Sequence, residues 1–286
     1  MDRDYSSISP SAKALLLTKG LTPIPFAREA ASLLFGDDSI EQARKRIADE
    51  TFLLRLIHFE NRYWSVDTLL DEFGGKNILE ISSGFSFRGL NRAIGNAEVF
   101  YVDTDLPEIM DIKRRLTTEL LERGQFALNG TLRMETLNVL NEGAFNQIIA
   151  TFPDGPLTIV NEGLLVYLDE GEKRRLCSII HKILTERGGH WITGDIYIKT
   201  ERRVGDSNDE FSQFLKKHHV DDNKFESFEQ AEEFFNSCGF EVSKKLTVVP
   251  EKLSAAKYLS PETIARLQKP GARVRVHETW AVKPLK

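Results

Sequence analysis

The stretch Asn77-Ile78-Leu79-Glu80-Ile81-Ser82-Ser83-Gly84-Phe85-Ser86 decides the fold. A short apolar run ends in an acidic residue and passes into a turn of small residues, the pattern of a buried strand that feeds through a tight loop into a helix. About 20 residues on, the run Ala97-Glu98-Val99-Phe100-Tyr101-Val102 ends in Asp103-Thr104-Asp105-Leu106-Pro107 and sets carboxylates at the tip of the neighbouring strand. In a doubly wound α/β sheet that tip is where an acidic side chain accepts the ribose hydroxyls of a nucleotide-like cofactor.

Two cofactor classes use this layout, and the glycines separate them. A dinucleotide calls for G-x-G-x-x-G, so that backbone and helix N-terminus approach the pyrophosphate. Here only Gly84 stands in that frame, with Ser82 at the first position and Phe87 at the third. S-adenosylmethionine carries no phosphate and needs only a turn of small residues for its amino-acid part and an acidic strand end for its ribose. Glu80-Ile81-Ser82-Ser83-Gly84 suits that, as a degenerate E-x-G-x-G loop. The loop alone reads equally well as a plain strand-turn-helix; with Asp103 and Asp105 at this spacing it points to a class I methyltransferase.

Composition bounds the rest. A chain of 286 residues buries a sizeable core, and we expect a single domain, residues 1–286. The net charge is −5, and no Lys/Arg run exceeds Arg202-Arg203 or Lys216-Lys217 by more than a residue, which argues against a nucleic-acid partner. Cys177 and Cys238 fit no metal spacing and no disulfide framework, so a reducing compartment is expected. The charged start Met1-Asp2-Arg3-Asp4 and the lack of a long apolar run speak against a signal peptide and a membrane span, hence for the cytoplasm.

Residues 1–75 read as a helical cap, with Arg62 just ahead of a helix that runs to Phe73 and is closed by Gly74-Gly75. A lone arginine beside Tyr63 and Trp64 is otherwise an ordinary surface residue. Residues 76–199 hold the cofactor-binding core. Thr131 to Val139 alternates as a third strand, ending at Asn138-Val139, where an adenine amino group would meet a polar side chain. Leu157 to Val160 is a fully apolar fourth strand running into Glu162, which stands at the carboxyl end of a central strand and so in the ligand crevice. Asp169 opens a helix closed by Gly188-Gly189, and Trp191 to Tyr197 is the fifth strand. The polar segment 200–235 reads as a lid insertion over the crevice, or else as a solvated excursion. Residues 236–286 supply two strands, Phe240 to Val249 and Arg273 to Val282, that suit the antiparallel hairpin closing a Rossmann-like seven-stranded class I methyltransferase sheet. His218-His219 are adjacent and the other histidines isolated, so no metal site is legible, and no Gly-x-Ser-x-Gly elbow appears.

Four segments, in order along most of the chain, resemble the leucine carboxyl methyltransferase family, including its bacterial O-methyltransferases of secondary metabolism. They are Arg62 to Asp67, the loop Ser82 to Arg88, Asp103-Thr104-Asp105-Leu106-Pro107, and Glu162-Gly163-Leu164-Leu165-Val166-Tyr167-Leu168, the last two being the specific ones. The resemblance implies that Arg62 grips a carboxylate, that Gly84 passes close to the methionine moiety of S-adenosylmethionine, and that Asp105 or Asp103 holds the ribose. Glu80, Ser82, Arg88, Asn138, Val139 and Glu162 complete the cofactor set so implied. Asn138 stands where the family tends to have Asp, and Ser82 and Ser86 replace small loop residues.

Chemistry follows from these residue types. A carboxylate acceptor, on a small molecule or a peptide C-terminus, is ionised near neutral pH and needs no general base. A hydroxyl acceptor would call on Glu162 or Tyr167 as base. Two other readings stand beside this one: a binding or interaction protein that kept the fold without the chemistry, and a nicotinamide-dependent oxidoreductase.

Overall fold

The structure, a computed structural model, describes residues 9–200, 210–268 and 276–285. Four helices come first: α1 (Ser9–Lys19), α2 (Ala27–Phe35), α3 (Asp37–Lys45) and α4 (Glu50–Phe73). Asp49 starts α4 by accepting at Oδ1 from the N–H groups of Thr51 at 2.8 Å and Phe52 at 3.3 Å, which satisfies donors the helix leaves open. Phe52, Leu56, Phe59, Tyr63, Val66 and Leu70 then recur at three- and four-residue spacing, all buried. That stripe carries the helix straight through Asn61-Arg62. Arg62 therefore sits in the middle of α4, not ahead of a helix as the sequence suggested.

The sheet follows as β1 (Asn77–Ile81), α5 (Arg88–Gly95), β2 (Phe100–Asp105), α6 (Pro107–Gly124), β3 (Thr131–Thr136), α7 (Glu142–Ile149), β4 (Leu157–Asn161), α8 (Glu170–Arg187) and β5 (Gly189–Tyr197). The chain continues through α9 (Glu210–Lys217), α10 (Phe228–Ser237), β6 (Phe240–Leu246), α11 (Pro261–Gln268) and β7 (His277–Pro284). The seven strands form one sheet in the order β3-β2-β1-β4-β5-β7-β6, parallel from β3 to β5 and closed by β7, which runs antiparallel to both of its neighbours, β5 and β6. This is the α/β sheet expected from the sequence.

Every residue of β1 and β4 is buried, because helices cover both faces of these parallel strands. Alternation divides their side chains between two cores. Leu79, Val102, Ile159 and Trp191 face α7, α8 and α10, whereas Ile78, Tyr101, Val160 and Ile192 face Val66, Leu69 and Leu70 of α4. Strand order reverses between β1 and β4, so the loops leaving them part and open a crevice at the carboxyl ends.

Boundaries shift in ways that matter for the crevice. β2 begins at Phe100 rather than Ala97 and carries Asp103 inside it. β3 stops at Thr136, which leaves Asn138 and Val139 in a loop. Of the expected lid, residues 201–209 lie outside the described residues, as do residues 1–8 and the first part, 273–275, of the last expected strand. The remainder of the lid segment contains α9 and most of α10; Phe214, Leu215 and Val220 pack against Val166, Tyr167 and Tyr197. After β6 the chain returns to α4, where Glu60 accepts from the N–H groups of Ser254 at 3.0 Å and Ala255 at 2.9 Å. No helix among the described residues is long and apolar enough to cross a membrane.

Candidate active site

A cleft of about 1010 Å³, counted out to bulk solvent, opens at the carboxyl ends of β1, β2 and β4. Its near wall is the loop after β1. Ser82 and Gly84 both hold φ of 51°, and the Ser83 N–H donates to the Thr104 carbonyl at 2.9 Å, which pins the loop to β2. A Cβ on Gly84 would meet only the Cβ of Ala12, at 3.7 Å, so the glycine answers the backbone angle rather than crowding. Ser82 takes the same left-handed conformation at a cost of order 1–3 kcal/mol. Asp105 ends β2 and closes the wall, its Oδ2 accepting from Gly84 N–H at 2.7 Å and its Oδ1 from Leu106 N–H at 2.7 Å. Burial raises its pKa, and the two N–H groups work the other way.

The opposite wall is charged. Glu162 follows β4, and its loop is shaped by buried Asp195 of β5, which accepts from the N–H groups of Gly163 at 2.6 Å, Leu164 at 2.6 Å and Leu165 at 3.1 Å. Oε1 of Glu162 meets Lys19 Nζ at 2.5 Å and Arg62 Nε at 3.2 Å, and Oε2 meets Arg88 Nη2 at 3.1 Å. Burial opposes ionisation, yet Lys19, Arg62 and Arg88 hold Glu162 well below the usual carboxylate range. Arg62 also donates from Nη1 to the Tyr197 hydroxyl at 3.0 Å. Its Nη2 is buried with no hydrogen-bond partner among the described residues. Gly163, at φ 88°, lies beside that nitrogen; a Cβ there would stand 3.4 Å from it.

Tyr197 in turn meets His58 Nε2 at 2.8 Å. Because Arg62 donates to the phenol oxygen, the phenol proton points to His58, which burial keeps neutral by driving its pKa well down. His277 packs 5.0 Å from His58 and 4.5 Å from Tyr197, ring to ring, and burial lowers its pKa to about 4. These histidines look isolated in sequence; the fold gathers them behind Arg62.

Ser82, Gly84, Asp105, Asn138, Val139, Arg62, Glu162 and Tyr167 converge on the cleft. Glu80, Arg88 and Asp103 do not line it. Glu80 is buried behind the loop, gripped by Arg88 Nη1 at 2.5 Å and the Tyr101 hydroxyl at 2.5 Å, so Arg88 joins Glu80 to Glu162 from beneath. Asp103 is buried against Lys113 Nζ at 2.9 Å, and that amine also donates to Ser83 Oγ at 2.9 Å. Neither candidate base is set up for proton abstraction. Both oxygens of Glu162 are taken by cations, and burial raises Tyr167, leaving it a neutral phenol. Lys19 escaped the sequence reading because its partner lies 143 residues away; its one signal is a cation at the end of a helix that carries the apolar run Ala14 to Leu17. Among the described residues no group of three or more His, Cys, Asp or Glu is placed to hold a metal ion.

No family model and no curated protein matches the chain. Similar solved structures include LepI in complex with SAH and a substrate analogue, at 9% identity over 73% of this chain and 42% of that chain, TM-score 0.45. The S-adenosylmethionine-dependent methyltransferase SibL is 13% identical over 83% of this chain and 59% of its own, TM-score 0.48. The mitomycin 7-O-methyltransferase MmcR is 12% identical over 91% and 68%, TM-score 0.48. The chain thus spans 42% of the length of LepI and 59% of that of SibL. Cofactor and reaction are matters for the cleft itself.

Proposed function

We propose that the chain is an S-adenosylmethionine-dependent O-methyltransferase of the kind its motifs resemble, the leucine carboxyl methyltransferases, and that its acceptor is a carboxylate on a small molecule or peptide. The carrying observation is that one cleft sets an acidic strand end, Asp105, against a buried cationic centre in which Arg62 Nη2 lacks a partner among the described residues. An amino acid joined to a nucleoside without phosphates has the complementary groups. Hydroxyls suit Asp105, whose two oxygens each take one backbone N–H and keep further lone pairs. A carboxylate suits Arg62 and Lys19. Asn138, Val139 and Leu140 would border the base, and the small loop Ser82 to Gly84 the amino-acid chain.

The bound cofactor would supply an electrophilic methyl group on a sulfonium sulfur. The chain's own part is to position and to exclude water: Leu15, Leu16, Ile109, Leu137, Leu164 and Leu168 make most of the cleft apolar. With Asp105 given to the cofactor hydroxyls, Glu162 held by cations and Tyr167 a neutral phenol, no further carboxylate or imidazole base stands among the described lining residues, which favours an acceptor that is already ionised over a hydroxyl. Calorimetry tests the cofactor, with heat expected for S-adenosylmethionine and its demethylated product. Heat with NAD and none with either of these would sink the assignment. Transfer of a labelled methyl group tests the acceptor: an ester releases methanol in mild alkali, and label that survives alkali would exclude a carboxylate. Cofactor binding with no transfer to any carboxylate or hydroxyl acceptor would leave a binding protein on this fold.

A further inference from the structure

The two cysteines of the chain stand 61 positions apart, Cys177 on α8 and Cys238 just past the end of α10. The fold lays the turn Ser237-Cys238-Gly239 along one stripe of α8. Arg174 donates from Nη1 to Ser237 Oγ at 3.0 Å and approaches Cys238 Sγ at 3.9 Å. One turn further along, the Cys177 thiol hydrogen-bonds to Cys238. One more turn along, His181 packs so closely that a Cβ on Gly239 would stand 2.6 Å from its Nε2. Helix and turn therefore meet with little free space, and between these two contacts Cys238 packs against the core cluster to which Cys177 belongs. Cys177 is buried, whereas Cys238 is half-buried between exposed Ser237 and the surface, within reach of a small reagent.

We infer that Cys238 is a peroxide-reactive thiol and that Cys177 is its resolving partner, the two closing a reversible disulfide between α8 and the end of α10. The polarity of the pair sets the order of events. The hydrogen bond from Cys177 lowers the Cys238 pKa to about 7, with Ser237 and Arg174 helping against burial, while the same bond and burial raise Cys177. The Cys238 thiolate attacks one oxygen of a hydroperoxide, breaks the O–O bond and becomes a sulfenic acid, releasing hydroxide or alkoxide. That base takes the proton of Cys177. The new thiolate attacks the sulfenic sulfur, expels hydroxide, which is protonated to water, and forms the S–S bond. Two thiols are oxidised and one hydroperoxide is reduced, giving two waters when it is hydrogen peroxide.

The test uses the reduced full chain, hydrogen peroxide and a maleimide. After peroxide, wild type should take up no maleimide, weigh two hydrogen atoms less, and yield one linked pair of Cys177 and Cys238 peptides that dithiothreitol separates. Cys177→Ser should stop at a sulfenic acid that dimedone traps on Cys238, and Cys238→Ser should keep its thiol. On wild type alone, without any variant, the rate of Cys238 alkylation should rise with a midpoint near pH 7. Two maleimides on peroxide-treated wild type, Cys238 oxidised while Cys177 stays free, or a linkage between two chains would each overturn the inference.

Discussion

The two walls of the cleft hold their carboxylates in opposite ways. Asp105, on the β2 wall, rests on two neutral N–H groups at 2.7 Å and keeps lone pairs toward the opening. Glu162, on the β4 wall, is enclosed by Lys19, Arg62 and Arg88. The first keeps acceptor capacity on the cleft, which the proposed function assigns to hydroxyls; the second is a spacer that keeps three cations from repelling one another. A carboxylate at the end of a central strand thus reads the same in sequence whether its oxygens rest on backbone N–H groups or are taken by buried cations, and its neighbours decide which.

Removing the spacer should have the largest effect. Glu162→Gln leaves three buried cations around a neutral amide, and unfolding in denaturant should show a loss of about 3–5 kcal/mol. A loss under about 1 kcal/mol would mean that solvent reaches the charged wall and would erase the contrast. Acid should attack the same wall from behind. His58 and His277 are neutral in the fold, with His277 lowered from 6.5 to about 4. Below pH 6.5 the unfolded chain therefore binds more protons than the folded one, so stability falls as pH drops from 6.5 through 4. For His277 alone that amounts to on the order of 3 kcal/mol. The slope of stability against pH in this window should flatten in His277→Gln; an unchanged slope would remove the histidine from the account.

On the other wall the effect belongs to affinity. Asp105→Ala should weaken S-adenosylmethionine binding by about 1.5–3 kcal/mol, roughly 10- to 150-fold in Kd, while Asp103→Asn leaves Kd unchanged and lowers only stability. Equal losses in Kd would make the two aspartates equivalent after all. The smallest change expected is at Tyr197→Phe, which removes one hydrogen bond from Arg62 Nη1 and should cost about 1 kcal/mol in binding of whichever anion Arg62 holds. Titrating cofactor and acceptor separately identifies that anion, and no change in either would show that Arg62 needs no such support.

Much of this was legible in the chain. The apolar runs of β1 and β4, the small loop between Ser82 and Ser86, and Asp169 capping α8 are local signals, and local signals survive folding. Asp105, Arg62 and Glu162 could be named for the same reason. What sequence could not separate was Asp103 from Asp105, which share one face of β2; the difference is made by Lys113, delivered from α6 to the inner residue alone. Nor could it find Lys19, Tyr197 and His58, or the contact between Cys177 and Cys238, since each partner lies in another part of the chain and only the strand order brings them together. The place of Arg62 was misread because an apolar stripe outweighs two polar residues in mid-helix.

The ion pair between Lys19 and Glu162 links positions 143 residues apart. During synthesis α1 leaves the ribosome long before β4 exists, so Leu16 can join Ala30, Ala31 and Ile40 of the helical cap early, whereas Lys19 must wait for Glu162 until most of the parallel strands are made. Contacts of such separation form late and slow the search for the native state. The charged wall of the cleft is then built late: a nascent chain ending ahead of β4 holds the loop after β1 and Asp105 but has nothing to anchor the lysine.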